Sequence, residues 1–431
     1  MKISEIIKAT DAKLIGNLEQ DFDVQISTDT RTIKSGDLYL PLKGASFDGE
    51  KFIEQALEKG AVGAFCTEEH IIENNKFLLL VPNTLTAYLQ LANYRRNKLN
   101  LTVVAITGSS GKTTTKEIVA SALSSKYKTF KTPLNYNNEV GLSQTIFATP
   151  DYTEVLVLEL GMRGLGEIEL LSKYAEPDYT IISNVGTAHI GRLGSRENIA
   201  KAKCEIVKYQ RGKTFIAHDD EIIKNTVDFD GEKIFYSIKD VNILDKNANY
   251  SKFEYQENIY ELNVGGDYNI ENALSAINIG LKLGMNIEDI QKGLKNYKPI
   301  EKRWEAVNAG GYEIINDSYN ANPESMRAFL DTIFELYNDY VIILGDMGEL
   351  GEKEVQYHKE LGEYISKKNP NAKILTVGNL SENISKSCGG KHFENIDLVV
   401  DYIKNNISKT SKIFLKASRS MKFENIITSL S

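Results

Sequence analysis

The string Thr107-Gly108-Ser109-Ser110-Gly111-Lys112-Thr113-Thr114-Thr115 stands between an apolar segment that reads as a buried strand and an amphipathic helix with Ile118, Val119, Ala122 and Leu123 inward. Glycines let a backbone bend around phosphate oxygens, and amides at a helix N-terminus point at an anion. Lys112 can neutralise β- and γ-phosphate charge and the Thr113 hydroxyl can bind Mg2+, so the segment reads as a nucleoside triphosphate site. An ordinary strand-turn-helix connection gives no reason for Gly-Lys-Thr at the helix start. The spacing departs from the common phosphate loop, which needs glycine five residues before Gly111, where this chain has Ile106.

Glu159 ends the apolar run Val-Leu-Val-Leu-Glu, and His189 follows Ile-Ile-Ser-Asn by a short loop. Both positions then fall at carboxyl ends of parallel strands, the edge where open α/β sheets place ligands. A carboxylate and an imidazole there suit Mg2+ beside phosphate, although either alone is equally a satisfied polar side chain. Lys203 lies in a helix that Ser195 can cap, on the same stripe as Ile199, Ala202, Ile206 and Val207, with Lys201 and Lys208 opposite. Either its aliphatic stem crosses the apolar face to reach water, or it meets a bound anion or is converted to a carboxylate-like group. Arg303, in Lys-Arg-Trp-Glu, is a second phosphate clamp or a surface ion-pair partner. Asparagine-rich strings at 134–138, 268–272 and 316–323 read as turns and caps, the last of them holding Asp317, a residue suited to ribose hydroxyls.

The elements that must position these residues form an α/β pattern. Residues 1–83 read as a small α/β unit, with strands at 27–31, 38–42, 62–66 and 77–81. Residues 84–299 follow, opened by a helix capped by Asn83, with strands at 102–106, 154–160 and 179–183, an irregular strand-rich stretch near 213–265, and a helix carrying Ala273, Ile277 and Leu281. Residues 300–431 repeat the alternation with strands at 312–315, 340–344, 372–377 and 412–415. Alternation of this kind means parallel sheets covered by helices. At 431 residues the chain is long enough for about three domains, and 42% apolar with 26% charged residues is ordinary globular usage. A net charge of −8 argues against nucleic acid or an anionic membrane as the main partner. Three scattered cysteines form no zinc-thiolate or disulfide pattern, and the sequence holds no signal peptide or spanning segment, so a cytoplasmic protein is expected, with monomer as the default.

Together the motifs resemble the Mur ligases, ATP-dependent amide-forming enzymes of peptidoglycan precursor synthesis. TGSSGKTTTKE is similar to that family's loop, with its non-standard spacing, and NYNNEVGLSQT, ELGMRGLGEI, NVGTAHIGRLGS with AKAK, and DYNIENALSA look like its central-domain strings. TDTRTIKSGDLYLPLKGASFDGEKF, NDSYNANPESM, GDMGELGEKEVQYH and LKASRSM look most like the members that join D-alanyl-D-alanine to a UDP-N-acetylmuramoyl-tripeptide through an acyl phosphate; the alternatives are another Mur ligase or a folylpolyglutamate synthetase-like amide ligase. Thr30 stands where relatives often carry serine in a DSR-like string.

The resemblance implies a central P-loop parallel-sheet domain flanked by a small α/β N-terminal domain and a Rossmann-like C-terminal domain. It implies ATP and Mg2+ as cofactors. Gly108, Ser109, Ser110, Gly111, Lys112, Thr113 and Thr114 would hold the phosphates, with Thr113, Glu159 and His189 on the metal. Lys203 matches the family's carbamylated lysine. Asn269 and Asn272 match adenine contacts, Asp317 and Asn320 belong to the ribose-side string, and Arg303 matches a phosphate contact from the third domain. Asn137 and Asn138 fall beside the muramoyl substrate, and Thr30, Arg31, Lys43, Gly44 and Asp48 map to the region holding the uridine diphosphate. Lys112, His189, Lys203 and Arg303 are the expected catalytic residues. Because Arg303 and Asp317 belong to a different domain from the loop, the site is complete only when domains close.

Overall fold

The computed structural model describes residues 1–18, 20–44, 46–69, 76–247, 249–299 and 302–431. They form two compact units, one of residues 1–101, 132–153 and 173–176, the other of residues 102–131, 154–172 and 177–431. The α/β expectation holds in both. The expected boundary at 299/300 runs into residues 300 and 301, which lie outside the described residues.

The first unit holds a five-stranded sheet in the order Lys13–Gly16, Phe77–Leu80, Gly63–Cys66, Leu38–Tyr39, Ile26–Ser27. Only the first pair is antiparallel. Two expected strands are shorter than read. The segment at 27–31 stops at Ser27 because the Asp29 carboxylate accepts the Arg31 N–H at 2.9 Å and turns the chain. The segment at 38–42 stops at Tyr39, since Pro41 brings no amide to the ladder. Asn83 caps the helix Thr84–Lys98 by accepting the Thr86 N–H at 2.9 Å, as its sequence position suggested. That helix packs on Glu139–Ala148, with the Tyr88 and Phe147 rings stacked 5.5 Å apart.

The second unit is built on two six-stranded sheets. One is all parallel, in the order Glu232–Tyr236, Thr214–His218, Tyr179–Ile182, Thr102–Thr107, Val155–Glu159, Thr129–Lys131. Its inner strands Thr102–Thr107 and Val155–Glu159 are apolar runs buried on both faces, as parallel sheets demand. The other runs Glu305–Ala309, Tyr312–Asn316, Lys412–Lys416, Tyr340–Gly345, Ile374–Val377, Lys391–Phe393, with an antiparallel edge pair and parallel strands beyond it. The irregular stretch near 213–265 supplies two parallel strands and then a separate antiparallel meander, Asn242–Asn247, Tyr250–Tyr255 and Asn258–Leu262. A single apolar cluster runs from Val104 and Ile118 through Phe253 and Ile277 to Trp304, Phe329 and Phe414, so both sheets of this unit share one core.

The helix Lys112–Leu123 carries the phosphate loop at its start, and its seat is set by a close approach. The Ser121 hydroxyl donates to Gly293 O at 2.8 Å, and a Cβ at Gly293 would stand 2.5 Å from Ala122 Cα. Alanine at 293 recovers about 1 kcal/mol of helix propensity. The overlap, however, is with backbone that cannot step aside, and overpacking costs about 1–3 kcal/mol. Gly293→Ala should therefore lower the urea midpoint of unfolding by an amount equivalent to up to roughly 2 kcal/mol; a raised midpoint would show that the two helices are not locked at this contact.

Candidate active site

The loop Thr107–Lys112 leaves the carboxyl end of a central strand and turns into a helix through Gly111, whose φ of +74° is open to glycine at no steric cost. Gly108 is required by a close approach, since a Cβ there would lie 1.9 Å from Ser183 Oγ. The next strand holds the loop from beside it. Asn184 Oδ1 accepts the Ser110 N–H at 2.9 Å, and its Nδ2 donates to Ser110 O at 3.1 Å and Ser110 Oγ at 2.9 Å. Asn184 O accepts the Ser109 N–H at 3.1 Å, and the Ser183 hydroxyl donates to Ser110 O at 2.7 Å. Lys112 Nζ donates to Gly108 O at 2.8 Å, curling back over the loop. Three buried polar atoms around this segment, Thr107 Oγ1, Ser109 Oγ and Arg303 Nε, have no hydrogen-bond partner among the described residues. A phosphate chain offers acceptors to each of them.

The strands flanking this loop strand carry the two other candidates. Glu159 ends Val155–Glu159 and pairs in register with Ile106; His189 follows Tyr179–Ile182, on the other side, and starts the short helix Ile190–Leu193. Both lie on the expected edge. Glu159 is only 2% exposed, and the fully buried Lys116 places its Nζ 3.8 Å from Glu159 Oε2 and 3.2 Å from Glu117 Oε1. His189 has Glu349 Oε2 at 2.6 Å from its Nδ1, and the imidazole holds the Glu349 carboxyl below the ordinary carboxylate range. A metal held here would take its protein ligands from a hydroxyl, a carboxylate and an imidazole, and the rest from water and phosphate. That pattern suits Mg2+, which binds through few carboxylates; among the described residues no group of three or more His, Cys, Asp or Glu could hold a metal.

Lys203 is where the helical stripe put it, 1% exposed in Arg196–Cys204, a helix whose start is capped by the Ser195 hydroxyl accepting the Asn198 N–H at 3.2 Å. Desolvation, reinforced by the neighbouring Lys112 charge, pushes its amine well below the ordinary lysine value. Lys112 is lowered too, by desolvation first, against the opposing pull of Glu159.

The third segment of chain reaches this edge. Arg303 Nη2 donates to Thr113 Oγ1 at 2.9 Å. Asp317 follows the strand Tyr312–Asn316 and pairs with the buried Lys416, which also donates to Asn320 O at 3.4 Å; Asn320 itself is exposed. The helix Asp267–Lys282 buries Asn269 and Asn272. Asn269 Nδ2 donates to Gly265 O at 2.7 Å, and Asn272 Oδ1 accepts the Thr115 hydroxyl at 3.0 Å, beside the Cβ position of Gly111. Asn272 thus braces the phosphate loop. Glu324, at the start of Pro323–Leu336, accepts the Thr187 N–H at 3.0 Å and its hydroxyl at 2.9 Å. Sequence reasoning missed Asn184, Glu324, Glu349 and Lys416. Asn184 alone left a signal, a polar residue closing a strand at the ligand edge.

In the first unit Thr30, Arg31, Lys43, Gly44 and Asp48 follow the carboxyl ends of two adjacent parallel strands, and Asn137 and Asn138 lie at the start of a helix. Thr30 and Arg31 follow Ile26–Ser27, with Lys59 Nζ 2.9 Å from Thr30 O and the Arg31 guanidinium bidentate on Asp29. Lys43, Gly44 and Asp48 follow Leu38–Tyr39; Lys43 Nζ is 3.6 Å from Asp48, and the Gly44 N–H donates to Phe47 O at 2.7 Å. Asn138 is spent as the N-cap of Glu139–Ala148, accepting the Gly141 N–H at 2.9 Å, and Asn137 precedes it.

Comparisons with known proteins bear on this geometry. Three family models match: the Mur ligase family catalytic domain over residues 24–121, the Mur ligase middle domain over 106–280 and the Mur ligase glutamate ligase domain over 302–419. The UDP-N-acetylmuramoyl-tripeptide–D-alanyl-D-alanine ligase of Bacillus subtilis is 38% identical across 99% of this chain and 97% of its own length. Among solved structures, MurF of Acinetobacter baumannii superposes with a TM-score of 0.89 at 29% identity, covering 99% of this chain and 98% of that one. MurF of Thermotoga maritima, solved in complex with ADP, gives 0.85 at 26% identity over 94% of this chain and 96% of that one. A phosphate loop with displaced glycine spacing, edged by Glu159 and His189 and met by Arg303 from a second sheet, thus sits in a chain matched from end to end by these relatives, and the chain belongs to the Mur ligase family.

Proposed function

We propose that this chain uses ATP to join D-alanyl-D-alanine to a UDP-N-acetylmuramoyl-tripeptide, an amide-forming step of peptidoglycan precursor synthesis. The observation that carries the reading is Arg303 on Thr113, which sets a cation from the third segment against the phosphate loop at 2.9 Å. The identity of donor and acceptor is supported by the names of relatives that match over nearly the whole chain. In this reading residues 1–83 take the nucleotide-sugar peptide, 84–299 the ATP, and 300–431 the amine together with part of the ATP site. Thr30, Arg31, Lys43, Gly44, Asp48, Asn137 and Asn138 belong to the first substrate, and Asn269, Asn272, Asp317 and Asn320 to the adenosine. The protein works as a cytoplasmic monomer and serves cell shape and division through the wall.

A carboxylate acylates poorly because its leaving group would be oxide. Transfer of the γ-phosphoryl group of ATP to a tripeptide carboxylate oxygen gives ADP and an acyl phosphate. The amine of D-alanyl-D-alanine then attacks the acyl carbon, the carbon–oxygen bond to phosphate breaks, and the amine sheds a proton as the amide forms. Lys112, the amides at the start of its helix and Arg303 offset the charge that builds on the transferring group. Thr113, Glu159 and His189 would hold Mg2+, which when bound supplies further charge neutralisation at the phosphates.

Lys203 acts as a carbamate. Burial favours the neutral, nucleophilic form of its amine, which adds to CO2 to give an N-carboxylate and a proton. That conversion turns a lysine repelled by Lys112 into an anion attracted to it.

Two measurements test the reading. Phosphate release should require the tripeptide precursor together with D-alanyl-D-alanine; release with a single amino acid or with glutamate, and none with the dipeptide, would assign the chain to another amide ligase. Lys203→Ala should lose turnover, and millimolar short carboxylic acids should restore part of it, because a diffusible carboxylate can occupy the vacated site. Full activity in the alanine variant would mean the lysine serves only to fill the helix face.

A further inference from the structure

Arg303 sits in an unusual backbone setting. Both flanking residues are left-handed, Lys302 with a φ of 60° and Trp304 with a φ of 58°, a region costly for side chains with a Cβ. Such strain persists only where surroundings over-determine it. Trp304 supplies that constraint: it is 3% exposed, with its ring 6.3 Å from Tyr268, 5.6 Å from Phe329 and 6.0 Å from Phe414. On the other side the Tyr319 N–H donates to Lys302 O at 3.2 Å, and the Tyr319 ring centroid lies 4.1 Å from Arg303 Cζ.

A guanidinium carries all its N–H donors in its plane, so a ring on its face restrains the plane without consuming a donor. The in-plane directions are then left for the Thr113 hydroxyl, which Nη2 already meets, and for Nε, which is buried with no hydrogen-bond partner among the described residues. We infer that Tyr319 is a positioning residue for Arg303, fixing its plane so that Nε and the remaining in-plane donors face the terminal phosphoryl group of a bound nucleoside triphosphate. The inference rests on the ATP-binding part of the proposed function and deepens it, since it names what would make the site prefer a triphosphate to a diphosphate.

The test compares dissociation constants for ADP and for a non-hydrolysable ATP analogue, both with Mg2+, by calorimetry and by the fluorescence of Trp304, the only tryptophan in the chain. Tyr319→Leu should cut the preference for the triphosphate by about tenfold while leaving ADP binding as it was. Tyr319→Phe, which keeps the stacked face, should restore most of the preference. In an Arg303→Lys background Tyr319→Leu should add no further loss, since the geometry it protects is already gone. An undiminished preference in Tyr319→Leu, an equal weakening of ADP and analogue, or additive losses with Arg303→Lys would each overturn the inference. Should Tyr319→Leu fail to fold by circular dichroism, Tyr319→Met is read by the same criteria. Phosphate release by the unsubstituted protein with D-alanyl-D-alanine is measured in parallel. Its absence would sink the ligase reading, while the triphosphate preference still decides the role of Tyr319.

Discussion

The pincer of Asn184 on Ser110 is the contact on which the rest of the site depends. A loop that passes from strand to helix in four residues, Gly108 to Gly111, needs something to fix its side. Asn184 does this with both ends of its amide, accepting from Ser110 N–H and donating to Ser110 O and Oγ. Asn184 O also holds the Ser109 N–H, and Lys112 folds over Gly108. The glycine at 108 follows from the same arrangement, because Ser183, one residue before Asn184, occupies the space a Cβ would need.

That geometry gathers cations in a dry region. Lys112 and Lys203 are both lowered by desolvation, and each feels another cation, Arg303 for Lys112 and Lys112 for Lys203. Buried like charges cost several kcal/mol unless anions join them. Within the chain, Glu159 with Lys116, and Glu117 with Lys116 and Lys131, supply some of the balance. The rest is matched to what the family handles, a polyphosphate and, in the proposed reaction, a lysine turned into an anion. A net charge of −8 is therefore uninformative about these ligands. The total averages over the whole chain, whereas Lys112, Lys203 and Arg303 are near neighbours at one site.

Much of the site was legible because its residues sit where periodicity and strand ends speak clearly. Lys203 on an apolar stripe, Glu159 closing an apolar strand, and the Ser195 and Asn83 caps are local facts, set within one or two helical turns. Motif strings carried the family. What stayed hidden is of two kinds. Short, half-exposed strands such as Lys13–Gly16 and Glu305–Ala309, four and five residues long, are too brief for their pattern to signal itself, and exist because a neighbouring strand pairs with them. Contacts such as Glu324 on Thr187 span 137 residues of sequence and join parts of the chain that belong to different sheets, so nothing local marks them.

Those long-range contacts share a direction. Arg303 meets Thr113, Glu324 meets Thr187 and Glu349 meets His189, and every one of them runs from the second sheet's part of the chain to a loop at the carboxyl edge of the parallel sheet. Two of the three grip the same loop, 184–191, which begins with the asparagine that shapes the phosphate loop. Displacing the second sheet would thus part Arg303 from Thr113 and at the same time loosen the support of the loop Thr107–Lys112. In the proposed reaction this coupling has chemical value. An acyl phosphate is hydrolysed if it forms in open water, and a site whose phosphate loop and whose amine-bearing segment are held by the same contacts forms the intermediate only where the amine can intercept it.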